Sequence, residues 1–200
     1  MNIDNAIRGS LFAPDFLTEP ESIGELPEWE DLDAATLDKV EGRLRSIFEA
    51  FPHESTPNES QTEDDLIWKI LYSLDWTAHL RQQNLSGVGR TDVPDGLLFI
   101  DDAAKARADS MREERAKYAI GAVMVESKRW LRPLGRTSDR TVAPSTQMLR
   151  YLRRADDLTE GRMRWGILTN GAHWRLYYQG AGSVSEGFLE VDLVYSRINT

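Results

Sequence analysis

Apolar positions along the chain recur with two periods. Over residues 35–51, Leu37, Val40, Leu44, Ile47 and Phe48 return at three- and four-residue steps, which predicts an amphipathic helix. The same step is taken by Leu66, Ile67, Ile70, Leu71 and Leu74, behind Thr62 as the expected cap. Glu63, Asp64 and Asp65 fill the first turn, where acids suit the helix dipole. A third helix is expected over 145–155, with Met148, Leu149 and Leu152 inward. Strand patterns differ. Residues 93–100 turn at Pro94-Asp95-Gly96 and then become wholly apolar, as a buried strand does. In 123–128 strict alternation sends Val123 and Val125 to one face and Met124, Glu126 and Lys128 to the other. Residues 164–169 and 173–178 read as strands joined by a tight Asn170-Gly171 turn, and 182–193 as a last polar turn and strand.

Between these elements the chain is polar. Residues 1–34 are acidic and hold Pro14, Pro20 and Pro27, which predicts loops with short helical turns. Residues 52–61 form a linker with Pro57 and Asn58, and 78–90 a polar stretch with Gly87 and Gly89. The charged, alanine-rich segment 101–117 reads as a solvated helix or a lid between two strands, and 130–144 as a basic loop. The sum is an α/β chain: an acidic N-terminal arm and helix over 1–61, then a core over 62–200 with helices flanking a mixed central sheet.

Composition narrows the chemistry. Two hundred residues suit one domain of fair size. The absence of cysteine excludes disulfides and thiolate metal sites, and three scattered histidines (His53, His79, His173) argue against zinc. No apolar run nears the length of a membrane span and no signal peptide opens the chain, so a soluble cytoplasmic protein is expected. The net charge of −9 is unevenly spread. Residues 1–65 carry 17 acids against 4 bases, and the remainder 16 acids against 20 bases. Within 128–154 stand Lys128, Arg129, Arg132, Arg136, Arg140, Arg150, Arg153 and Arg154, opposed by Asp139 alone. Such a surface can hold a phosphate backbone or simply be solvated.

Glu126 and Lys128 point the same way, about 7 Å apart along their strand. If Asp95 reaches that face, two carboxylates and an ammonium converge, which is a site for a hard divalent cation with a lysine beside it. No glycine-rich phosphate loop, nucleophilic Ser/His/Asp arrangement or heptad seam competes.

Pro94-Asp95 followed by Glu126-Ser127-Lys128 resembles the motif of the PD-(D/E)XK nuclease superfamily. Further marks stand in the family's order. Glu63 matches its acid near the start of the first core helix, with Asp64 and Asp65 as alternatives, and Asp75-Trp76 stands where a Gly-Trp corner is usual. Gln147 and Tyr151, at i and i+4 on one helical face, begin 19 positions after Lys128. The run 165–177, Trp-Gly-Ile-Leu-Thr-Asn-Gly-x-x-Trp-Arg-Leu-Tyr, resembles the hairpin after the catalytic helix in nuclease domains of restriction–modification enzymes, and residues 9–17 resemble the opening of large methylases of that type.

The resemblance implies a restriction-endonuclease-like fold and metal-dependent cleavage of double-stranded DNA. Asp95, Glu126 and the Ser127 carbonyl would hold Mg²⁺ or Mn²⁺, Lys128 would orient the attacking water, and Glu63 would help hold a metal-bound water. Gln147 and Tyr151 would bond the scissile phosphate or order the lysine, while Arg129, Arg132, Arg150, Arg153 and Arg154 would hold the backbone. It also implies a longer chain in which methyltransferase and specificity domains follow. S-adenosylmethionine would belong to that downstream part alone. A non-cleaving DNA-binding scaffold in a phage-defence protein, or a protein-interaction module, are the other expectations.

Overall fold

The alternation at 123–127 builds the middle of the molecule. In the computed structural model, which describes residues 6–18, 33–136 and 142–194, strand β4 (Val123–Ser127) is buried along its whole length. A strand buried on both faces needs a layer on each. Val123 and Val125 pack with Ile67, Trp68, Leu71 and Leu98, whereas Met124 joins the larger core of Leu97, Tyr118, Met148, Leu152, Leu168 and Tyr177. The face assignment made from the alternation therefore holds.

Around it lie β1 (Ile7–Gly9), β2 (His79–Arg81), β3 (Gly96–Leu98), β5 (Trp165–Thr169), β6 (His173–Tyr178) and β7 (Phe188–Asp192). The seven strands run in the order β1-β7-β6-β5-β4-β3-β2. Only β4 and β5 pair in parallel among them; the other neighbours are antiparallel. A parallel pair needs a crossover. Helix Pro144–Thr159 lies within that connection and lays Met148 and Leu152 on the sheet. The fold is thus α/β, a mixed sheet flanked by helices.

The remaining helices, in chain order, are α1 (Pro14–Thr18), α2 (Ala34–Ala50), α3 (Glu59–Thr62), α4 (Trp68–Ser73) and α5 (Asp102–Asp109), so the crossover helix is α6. Helix α2 matches the expected periodicity and is capped by the Asp33 side chain on the Thr36 N–H, 2.7 Å. Phe48 and Phe51 pack on Leu66 and Ile70, which fastens α2 to the helical run behind it.

Several boundaries differ from expectation. The run behind 62 begins earlier: Asn58, not Thr62, is the cap, in a reciprocal box with Gln61. Residues 59–61 are therefore helix rather than linker. Thr62 instead donates to the Asn58 carbonyl and accepts the Trp130 N–H. Within 1–34 the chain contributes β1, paired with β7 some 180 residues on, and within the polar stretch 78–90 it contributes β2. Helix α5 is not solvated all round, because Ala104 and Ala108 are buried. Ile100, read as the end of a buried strand, is 75% exposed, and β3 stops at Leu98. Pro20, Pro27, Asp139 and Arg140 lie outside the described residues. No helix among the described residues is long and apolar enough to cross a membrane.

The close seat of α6 depends on Gly166. A Cβ there would stand 2.8 Å from the Met148 sulfur and 3.2 Å from a Leu152 methyl. Gly166→Val is expected to lower stability by about 1–3 kcal/mol through overpacking, read as a lower urea midpoint.

Candidate active site

Strand β4 ends where its side chains begin to carry charge. Glu126 is 2% exposed and Lys128 5%, and they are joined by a 2.5 Å bond from Nζ to Oε1. The pair expected from the two-residue period is thus made, in a buried setting. The other carboxylate oxygen, Glu126 Oε2, is buried without a hydrogen-bond partner.

Asp95 reaches this strand end as well. It follows Pro94 at the entrance to β3, and its Oδ2 accepts both the backbone N–H and the hydroxyl of Ser127, each at 2.7 Å. In a strand the N–H and C=O of one residue face the same edge. The Lys128 N–H turns to the Thr169 carbonyl of β5, whereas the Ser127 N–H turns to Asp95 on the β3 side. The expected set of Asp95, Glu126, the Ser127 backbone and Lys128 is therefore gathered at one place.

Of the three acids at the start of the helical run, one turns inward. Glu63 is 7% exposed and accepts from Trp68 Nε1 at 3.0 Å and Arg81 at 2.6 Å. Asp64 takes the other arm of Arg81 at 2.7 Å, and Asp65 pairs with Lys69 one turn on. Residues Glu63–Ile67 form a π-helical turn between α3 and α4. This wider turn lets Trp68 reach back five residues to Glu63.

The electrostatics follow from crowding acids around a dry lysine. Burial first, then the charge of Asp95, raises the Glu126 carboxyl to about 7, against the pull of Lys128. Burial and the charge of Asp95 also raise Glu63, although bonds from Trp68 and Arg81 oppose them. For Lys128 burial acts downward, but the charge and bond of Glu126, then the charges of Glu59 and Asp95, outweigh it and leave its pKa above the ordinary lysine value. The Glu126 carboxylate thus favours the ammonium form of Lys128.

Gln147 and Tyr151 share one face of α6, as the spacing required, and bond each other at 2.7 Å from Nε2 to the phenol oxygen. Tyr151 is buried in the core that also holds Met124 and Tyr118. Tyr118 feels the charges of both Glu126 and Tyr151, after burial, and is pushed up. The arginines divide. Arg150 and Arg154 both pair with the buried carboxylate of Asp92, the former at 3.0 Å, and both line with Arg153, Leu149 and Asp157 an open groove of about 460 Å³. The Arg129 backbone N–H and the Arg132 guanidinium stand at Glu59, 3.4 and 3.9 Å away.

Sequence reading missed Glu59, Arg81 and Asp92. The Asn58-x-x-Gln61 capping signature was the available signal for Glu59, since it starts the helix one residue before that acid. Nothing local marks Asp92 or Arg81. No family model, no curated protein and no solved structure matches the chain.

Whether a divalent cation fits can be asked of the donors themselves. Among the described residues no three His, Cys, Asp or Glu side chains form a ready-made metal cage. Mg²⁺ seldom uses one; it keeps several waters and takes one or two carboxylates plus substrate phosphate. A buried carboxylate oxygen without a donor, near a second carboxylate, fits that habit.

The raised Glu126 value has a sign. Protonation of a carboxyl whose folded pKa exceeds its unfolded one adds stability below the unfolded pKa, and this is lost as pH rises through about 7. Between about pH 5 and about pH 8, metal-free wild type is expected to lose about 2–3 kcal/mol relative to Glu126→Gln. Urea titrations of both proteins at the two pH values measure it; parallel pH profiles would show an unshifted carboxyl.

Proposed function

We propose that this chain is a metal-dependent DNA endonuclease domain of restriction–modification or phage-defence type, with a restriction-endonuclease-like sheet. The reading rests on one observation above the others. A buried Lys128–Glu126 pair ends the central strand, with an unpartnered Glu126 oxygen beside an Asp95 that Ser127 holds in place. A merely structural salt bridge does not need a second carboxylate and an unsatisfied oxygen, both of which raise its cost. The marks that stand in the sequence in the order of the PD-(D/E)XK superfamily add support.

Hydrolysis of a phosphodiester requires a positioned water, stabilisation of charge on the phosphorus oxygens and help for the leaving oxygen. Asp95, Glu126 and the Ser127 carbonyl would hold Mg²⁺ or Mn²⁺, which when bound lowers the pKa of water and neutralises developing charge. The chain's own groups do the rest. Lys128, protonated and fixed by Glu126, donates hydrogen bonds to the water or to a phosphate oxygen rather than removing a proton. Glu63, held by Trp68 and Arg81, accepts from a water on the Asp95 side. Gln147 and Tyr151 order each other and offer a donor toward the phosphate. Arg129, Arg132 and Arg153, with the exposed parts of Arg150 and Arg154, follow the backbone of double-stranded DNA. Recognition of a target sequence then falls to other segments, such as methyltransferase and specificity domains in a longer chain.

Supercoiled plasmid incubated with the protein and Mg²⁺ or Mn²⁺ is expected to be nicked or linearised, and EDTA to prevent it. Glu126→Ala and Lys128→Ala are each expected to reduce the cleavage rate by at least about a hundredfold. Calorimetric titration with Mn²⁺ separates the outcomes. Wild type that neither cuts nor binds Mn²⁺ would defeat the proposal.

A further inference from the structure

Glu59 has no part in the reading above, yet three groups of the candidate site are arranged about it. Its carboxylate oxygens lie 3.9 Å from Lys128 Nζ, 3.9 Å from Arg132 and 3.4 Å from the Arg129 backbone N–H. The next backbone N–H, of Trp130, is taken by Thr62, one helical turn beyond Glu59. The Asn58–Gln61 capping box and the Thr62 bond together fix the helix start over the end of β4. Glu59 is thereby held at that strand end, although its side chain is 47% exposed.

An ammonium, a guanidinium and a peptide N–H converging on one oxyanion is the arrangement that binds phosphate. Here a side chain of the same molecule supplies the oxyanion. Its distances are those of a loose occupant: longer than a charge-assisted hydrogen bond at all three donors, in contrast to the 2.5 Å bond that Lys128 makes with Glu126. Because Glu59 is half exposed, it can swing into water at small cost. Lys128, which is buried and already neutralised by Glu126, then has room for a second oxyanion.

We propose that Lys128 Nζ, the Arg132 guanidinium and the Arg129 N–H form a phosphate-oxyanion site that the Glu59 carboxylate fills in the free protein and an incoming phosphate displaces. Glu59 acts as an internal competitor. It keeps the lysine and arginine ordered without substrate, and it sets a threshold that only an anion contacting all three donors overcomes. The idea deepens the nuclease reading, since a scissile or flanking phosphodiester is one ligand with this chemistry, but it can be tested without cleavage.

The test is done in EDTA with the whole 200-residue chain. Inorganic phosphate is titrated while the Arg129 and Trp130 amide resonances are followed by NMR, and binding of a duplex oligonucleotide is measured separately. Glu59→Gln is expected to bind phosphate about fivefold more tightly than wild type, with the largest shift at Arg129, and Glu59→Gln/Arg132→Gln to lose that gain. Glu59 is exposed enough for the variant to fold, and unchanged amide spectra away from 58–62 and 128–132 verify that it does. Equal or weaker phosphate binding by Glu59→Gln, or a gain that survives loss of Arg132, overturns the proposal. Tighter phosphate binding without any duplex affinity upholds the oxyanion site and counts against DNA as its ligand. A parallel gain for duplex upholds both.

Discussion

An ammonium and a carboxylate are buried together at the end of the central strand, and most of the surrounding structure serves to make that tolerable. Desolvating Lys128 and Glu126 costs several kcal/mol per ion, recovered only by close contact and by donors and acceptors fixed around them. Contact comes from the two-residue period of β4, which puts both side chains on one face. Fixed surroundings come from strands on either side: Asp95 held by Ser127 toward β3, and the Lys128 N–H held by Thr169 of β5. The sheet must be covered on both faces for these groups to stay dry, and the two core clusters divided by Met124 and Val125 do this.

Acids outnumber bases around that lysine: Glu59, Asp95 and Glu126 all act on it, and Asp95 acts in turn on Glu63. Two arginine latches hold acids in the segments that border β3. Arg81 of β2 forks onto Glu63 and Asp64 and ties the π-helical turn to the sheet edge. Asp92, just ahead of Pro94-Asp95, is clamped by Arg150 and Arg154 and ties α6 to the segment that leads into β3. The Glu126 carboxyl is raised by its burial first and by the charge of Asp95 second. The two latches also change how the basic segment is understood. Of the arginines expected to follow a phosphate backbone, two have a structural partner in a buried carboxylate, so their charge is partly spoken for before any ligand arrives.

What the sequence determined by itself was local. Helix α2, the β4 face assignment, the Gln147–Tyr151 helix face and the β5–β6 hairpin all follow from periods and turn signals within a few residues, because backbone geometry alone decides which side chains share a face. The meeting of Glu126 and Lys128 was legible for that reason. Tertiary structure decided the rest. Strands β1 and β2 have three residues each, too few to show a period, and exist because a distant edge pairs with them. Glu63 was separated from Asp64 and Asp65 by a π-helical turn that no residue pattern announces. Asp92 meets Arg154 across 62 positions and Glu59 meets Arg129 across 70. Charged side chains carry no directional period of their own, so which acid finds which base is settled only when the packed elements bring them within a few ångströms.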